Sequence, residues 1–234
     1  MIRFGGALVL LDIEGTVSPL AYVHSVLFPY VRHQLGPFLE RHGKEPTVRA
    51  ALELMVAEAR PGRSEIPELA ELAALVHELM DRDAKQTGLK QLQGLIWEEG
   101  FASGVLHSEV FPDVPRALLA WVNCRLQVRI FSSGSTHAQR LFFGHTTAGN
   151  LRPYLAGYHD TTTGPKRFAA SYTTIACEAG VTPGEVLYLS DITAELDAAR
   201  EAGCATALAL RPGNAPNPPH THPVLASFAE IEIA

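Results

Sequence analysis

Four places in this chain gather residue types suited to a charged, oxygen-rich ligand. Asp12-Ile-Glu14-Gly15-Thr16 offers two carboxylates and a glycine, Ser132-Ser133-Gly134 two hydroxyls, Lys166 an ammonium, and Ser190-Asp191 a hydroxyl and a third carboxylate. One or two carboxylates plus a substrate phosphate suffice to hold a hard divalent cation such as magnesium. Two carboxylates brought close would repel each other without a cation between them. Asp12 could attack phosphorus as a nucleophile. Ser132 or Ser133, with backbone N–H groups at a helix start, could bind phosphate oxygens. Lys166 could neutralise charge on a transferring phosphoryl group, and Gly15 would let the chain turn away sharply. Each piece alone has an ordinary reading. Asp12 could be a solvated loop acid, Ser132-Ser133 a helix cap, Lys166 a surface lysine, and Asp191-Ile-Thr-Ala-Glu195 a capping arrangement. Order and position together argue otherwise, because three of the four runs directly follow short apolar segments.

Those segments read as strands. Ala7–Leu11 is a continuous apolar run, the pattern of a strand buried on both faces of a parallel sheet. Gln127–Phe131, Val186–Leu189 and Ala205–Leu210 read the same way. Helices are expected over Val114–Val122, Thr136–Phe143, part of Gly164–Gly180 (with Lys166 opening it) and Ala194–Ala202. Alternating strands and helices predict an α/β fold, a doubly wound parallel sheet whose ligands collect at the C-terminal strand ends. The stretch from about Pro19 to Gly104 differs. It is helical in spacing, with Leu69, Leu72, Ala73, Val76 and Met80 on one stripe, and Pro61-Gly62 and Gly88 should break it into separate helices. It reads as an insertion, giving a core of residues 1–18 and 105–234 and a helical domain of residues 19–104. The tail from Arg211, with five prolines, should be a loop.

The 234 residues carry 19 Lys plus Arg against 25 Asp plus Glu, a formal charge of −6. That balance argues against nucleic-acid or anionic-membrane partners, not against a small phosphorylated substrate. Hydrophobic residues at 47% exclude a disordered chain. Three scattered cysteines, Cys124, Cys177 and Cys204, make neither a disulfide scaffold nor a thiolate zinc site and suit a reducing compartment. The first apolar run stops at Asp12, too short for a signal peptide, and no run is long enough to span a membrane. A cytoplasmic protein is expected. GxxxxGK[ST] and GxGxxG are both absent, so nucleotide and nicotinamide chemistry lack support. His220 and His222 in the proline-rich tail, Trp97 and Phe101 at helical spacing, and Lys85 and Lys90 read as ordinary structural or solvated residues.

The order Asp12-Ile-Glu-Gly-Thr16, Ser132-Ser133-Gly134, Lys166, Ser190-Asp191 resembles the four motifs of the haloacid dehalogenase superfamily. With Glu14 as the second acid, the chain is similar to one branch, the enolase-phosphatases of methionine salvage. Val26-Leu-Phe-Pro-Tyr30, Leu89-Lys-Gln-Leu-Gln-Gly94 with Trp97, Phe111-Pro-Asp-Val114, Phe131-Ser-Ser-Gly-Ser135 with Ala138-Gln139, Phe143-Gly-His145, His159-Asp-Thr161 and Arg211-Pro-Gly-Asn214 extend the likeness from about Leu8 to Asn214. Val17-Ser18, Gly164-Pro165 and Ser190 depart from the family pattern beside the charged groups, which bears on specificity.

The resemblance implies that 2,3-diketo-5-methylthiopentyl-1-phosphate is enolised and then dephosphorylated to the acireductone, through an aspartyl-phosphate. Asp12 would be nucleophile and magnesium ligand. Glu14 would bind the metal through its backbone carbonyl and act as general acid and base through its side chain. Asp191 would complete the protein's ligands to one magnesium ion per subunit, and Ser132, Ser133 and Lys166 would hold the phosphate. The helical insertion would be a cap over the substrate, and the chain a monomer. The enolisation base is left open between Glu14 and a cap residue. The alternatives are a magnesium-dependent phosphomonoesterase of the same superfamily acting on another small phosphate, and a phospho-accepting receiver domain, which would need no cap.

Overall fold

A computed structural model describes residues 1–62, 65–82 and 84–234. In chain order the elements are β1 (Ile2–Phe4), β2 (Leu8–Leu11), the short α1 (Leu20–Tyr22), a π-helical turn (Val23–Leu27), α2 (Phe28–His42), α3 (Pro46–Ala59), α4 (Leu69–Asp81) and α5 (Thr87–Ala102). Then come α6 (Val114–Asn123), β3 (Gln127–Phe131), α7 (Thr136–Gly144), β4 (Gly157–His159), α8 (Ala169–Ala179), β5 (Val186–Ser190), α9 (Thr193–Glu201), β6 (Ala205–Ala209), β7 (Val224–Leu225) and β8 (Ile231–Ile233). The chain divides into two units, one of residues 1–22 and 107–234 and one of residues 23–106. Against residues 19–104 expected for the insertion, both junctions lie a few residues further along.

The first unit is built on a six-stranded sheet ordered β4-β3-β2-β5-β6-β7, with every pair parallel. β2 is central and buried at all four positions, which explains its unbroken apolar run. Successive side chains point to opposite faces. Leu8 and Leu10 therefore share one face with Phe131, Tyr188 and Leu208, packed under Tyr172 and Ile175 of α8 and Leu196 of α9. The chain leaves β2 to build β3 and β4 on one side and β5 to β7 on the other, so the switch in strand order falls at β2, where such sheets open a crevice.

Three expectations need correction. The tail is not loop throughout. After Pro223 the chain forms β7 on the sheet edge, and β8 pairs in parallel with β1 as a separate two-stranded ribbon. Lys166 does not open a helix, because it lies in a turn and α8 begins at Ala169. Gly88 does not break a helix. It sits in the first turn of α5, where a Cβ would collide with the Met55 backbone nitrogen and lie 2.8 Å from Ala51 O. Its missing side chain allows the close packing of α3 on α5.

The second unit is a helical bundle of α2 to α5. Its core includes Val31, Leu35, Met55, Val76, Leu89 and Ile96, all at most 1% exposed. Trp97 packs against that core with its indole N–H donating to Leu27 O at 3.1 Å. Among the described residues no helix is long and apolar enough to cross a membrane.

Candidate active site

The ends of β3, β2 and β5 are neighbours because their strands are, and they carry Ser132, Asp12 and Asp191. β2 delivers Asp12 while its backbone N–H still donates to Leu189 O of β5 at 3.0 Å. The chain then turns on itself. Ile13 O accepts from the N–H groups of Thr16, Val17 and Ser18, and Gly15 takes the left-handed conformation with φ +68°. That φ suits glycine, and a Cβ there would also strike the Asp191 carboxylate. Asp191 is not a helix cap. The residue flanking α9 is Ile192, whose N–H donates to Ser190 Oγ at 3.1 Å. Ser132 and Ser133 are not the cap of α7 either, since that role falls to Ser135, which accepts from Ala138 N at 3.2 Å.

Lys166 reaches the centre from its turn. Its Nζ lies 2.8 Å from Asp12 Oδ1 and 2.7 Å from Glu195 Oε2. The lysine is 8% exposed and Asp12 is 5% exposed, so this pairing is made largely out of water. Tyr172 fixes the lysine backbone, its hydroxyl donating to Lys166 O at 2.6 Å. Asp12, Glu14, Ser132, Ser133, Lys166, Asp191, Glu195, Leu20 and Ile192 line one cavity of about 130 Å³. The sites expected from sequence are thus brought together in a single chamber.

Charge in that chamber is unbalanced, with Asp12, Glu14, Asp191 and Glu195 facing one ammonium. Burial pushes the Asp12 carboxyl up to about 8, Lys166 opposing it while Glu195 and Asp191 add repulsion. Burial and then Glu195 raise Asp191 to about 6. Burial alone would lower Lys166, but Asp12 and Glu195 outweigh it and hold it above the ordinary lysine value. Excess negative charge on oxygen donors is what a hard cation relieves. Among the described residues, no three or more His, Cys, Asp or Glu side chains are spaced to hold a metal by themselves. A metal here would rest on two carboxylates, a main-chain carbonyl and oxygens of substrate or water, which is how magnesium is commonly bound.

Several residues that matter to this arrangement were not assigned from sequence. Glu195, read only as part of a capping pattern, is the second partner of Lys166 and accepts from Tyr188 OH at 2.8 Å. Its signal was its place one helical turn after Asp191. Gln139 Nε2 donates to Gly134 O at 2.8 Å and to His159 O at 2.9 Å, bracing the serine loop. Asp160 accepts from Thr136 N at 3.0 Å at the start of α7. His222 lies outside the chamber, its Nδ1 2.8 Å from Thr206 Oγ1 and its Nε2 3.1 Å from Asp197 Oδ1.

The parallel sheet, with this constellation at the C-terminal ends of its strands, and the relatives it matches place the chain among the haloacid dehalogenase-like hydrolases. The fold agrees. The YfnB protein of Bacillus subtilis, in a form bound to magnesium, matches with a TM-score of 0.58 and 16% identity, over 97% of this chain and 96% of that one. A nearer likeness is the UTR4 protein of Saccharomyces cerevisiae, with a TM-score of 0.80 and 35% identity over 97% of this chain and 100% of that one. The "Enolase-phosphatase E1" of Synechococcus elongatus is 50% identical over 212 residues, 88% of this chain and 89% of its own length. No family model matches the chain. At that identity and coverage the chain belongs to the enolase-phosphatase family.

Proposed function

We propose that Asp12, Glu14, Lys166, Ser132, Ser133 and Asp191 carry the enolase-phosphatase reaction in the roles set out below. The activity is that of the family. A diketone phosphate, 2,3-diketo-5-methylthiopentyl-1-phosphate, is enolised and then dephosphorylated to the acireductone, which serves methionine salvage. The observation that carries the assignment is Lys166 Nζ bridging Asp12 and Glu195 at 2.8 and 2.7 Å in the cavity that also holds both serines and Asp191.

Asp12 attacks phosphorus through a carboxylate oxygen. The bond to the leaving enol oxygen breaks, and the Glu14 carboxyl supplies the proton that oxygen takes up. The aspartyl-phosphate is then hydrolysed by a water that gives its proton to Glu14, which restores both carboxyls. Ser132 and Ser133 donate to the phosphate oxygens, and Lys166 spreads their charge. Ammonium has three N–H donors, so Lys166 can serve phosphate while keeping its two carboxylates. Asp12, Asp191 and the backbone carbonyl of Glu14 would hold one magnesium ion, which when bound supplies charge neutralisation and polarises an oxygen of the diketone. In the enolisation a base takes the proton from the carbon beside the carbonyl and the carbonyl oxygen gains one, with Glu14 and a residue of the helical unit as the two candidates for that base. The helical unit of residues 23–106 serves as the cap, and the protein works as a cytoplasmic monomer.

The test is to trap the intermediate. Labelled substrate is acid-quenched on the enzyme, the acyl-phosphate is reduced with borohydride, and the peptides are mapped. A reduced residue at Asp12 is expected, and modification elsewhere would overturn the assignment.

A further inference from the structure

Arg211-Pro-Gly-Asn214 takes no part in the scheme above, yet it grips the loop that follows Asp12. The four residues form a turn in which Asn214 N donates to Arg211 O at 3.1 Å and Gly213 has φ +88°. Proline then glycine at the two central positions is the type II pattern. This turn aims its first and fourth side chains at consecutive carbonyls. Arg211 Nε donates to Thr16 O at 3.1 Å and Asn214 Nδ2 to Gly15 O at 2.9 Å. The loop's own backbone bonds occupy its N–H groups, with Gly15 N on Ser18 O and three others on Ile13 O. Carbonyls of the loop are thus held from outside by the turn.

Asn214 does more than hold the loop. The same Nδ2 donates to Ala209 O at 3.0 Å, at the end of β6. An amide nitrogen has two hydrogens, and here one serves the loop after β2 and the other the end of β6. β5 runs between those strands and ends in Ser190-Asp191. Asp191 lies inside the tie. A Cβ on Gly15 would strike its carboxylate and stand 3.0 Å from Asn214 Oδ1.

We infer that Asn214 is a positioning residue whose side-chain amide sets the gap between the loop bearing Asp12 and Glu14 and the carboxylate of Asp191. The inference rests on the reading that these groups share a magnesium ion. Arg211 is the less informative probe. Its Nη1 lies 2.9 Å from Asp113 and 2.7 Å from Ala226 O, and its guanidinium lies over the rings of Phe111 and Phe228, so its loss would disturb much more than the loop.

The experiment compares wild type, Asn214→Ala and Asn214→Asp, which keeps the shape and removes both donors. The control is Thr182→Ala, which breaks the capping box with Glu185 just before β5 begins, away from the site. Backbone amide exchange is followed in metal-free protein, magnesium alone is titrated by calorimetry, and kcat and KM are measured across magnesium concentrations. Both Asn214 variants are expected to exchange faster over residues 14–18. They should need about 10–100-fold more magnesium for half-saturation, the range found when a group supporting a metal ligand is lost. KM for the phosphate substrate should return to the wild-type value at saturating magnesium. Should the alanine variant fail to fold, the isosteric aspartate carries the test. Exchange and magnesium affinity that match wild type, or that move only as much as in Thr182→Ala, would overturn the inference. A wild type that binds no magnesium would instead sink the shared-ion reading, and the metal-free exchange would still decide whether Asn214 sets the loop.

Discussion

Replacing Lys166 by methionine keeps an apolar stem near Phe131 and removes the ammonium. Lys166, Asp12 and Glu195 have side chains only 7%, 8% and 12% exposed, so the two carboxylates would be left buried without their counter-ion. Breaking a buried pair from one side costs about 3–5 kcal/mol. The chain can relieve part of that cost by protonating a carboxyl, and this gives the prediction its sign. Asp12 already sits far above the ordinary carboxylate range because of burial, and Lys166 is the group opposing that rise. Without Lys166, folded Asp12 holds its proton to still higher pH, whereas the unfolded chain has released it by about pH 4. The folded state then binds more protons than the unfolded state across neutral pH, so stability must fall as pH rises. Wild type shares that slope until its own Asp12 ionises at about 8, so urea unfolding should show a constant gap between the two from about pH 5 to 7 and the variant falling further behind only as pH rises past about 8. Phosphate release should fall by about 100–1,000-fold, the loss expected when a donor aimed at developing charge is removed. Its acid limb should also move to higher pH. A threefold loss with an unmoved pH profile would mean that another cation serves the phosphate.

Tyr188→Phe removes one hydroxyl bond from Glu195, which keeps Lys166 and Ser190. A loss of about 0.5–1.5 kcal/mol in stability and a few-fold drop in kcat are expected, and an unchanged kcat would show that Glu195 needs no such support. Gly88→Ala forces a methyl against the Met55 backbone. Overpacking of this kind costs about 1–3 kcal/mol, to be read as a lower urea midpoint. For His222, burial pushes the imidazole below its usual value despite Asp197. The unfolded chain then takes up the proton first, so stability is lost as pH falls below about 6.5. His222→Gln should flatten that slope in thermal melts between pH 7 and 5.

The sheet was legible because its strands are buried on both faces, which leaves unbroken apolar runs such as Leu8–Leu11 and Val186–Leu189. Asp12 and Ser190-Asp191 were visible for the same reason, as the polar groups that follow such runs, and Ser132 as the first hydroxyl after the more mixed strand β3. Lys166 had no local signal, since it lies in a turn and only the fold brings it to Asp12. Glu195 was masked by its own local logic, because an acid in the first turn of a helix is ordinary there. β4 and the β1–β8 ribbon are three-residue pairings set by tertiary neighbours, too short to imprint a period. Gly88 was misread because a glycine that breaks a helix and one that lets two helices touch look alike until the partner helix is known.

The central claim, one chamber performing enolisation and then phosphate transfer to Asp12, is tested most directly by following two signals at once. The diketone phosphate is mixed with enzyme and magnesium while ultraviolet absorbance reports the enol and a coupled channel reports free phosphate. Wild type should show the enol first and phosphate after it, with both lost in EDTA. Asp12→Asn should release no phosphate. Phosphate release without an enol, or undiminished release by Asp12→Asn, would contradict the account.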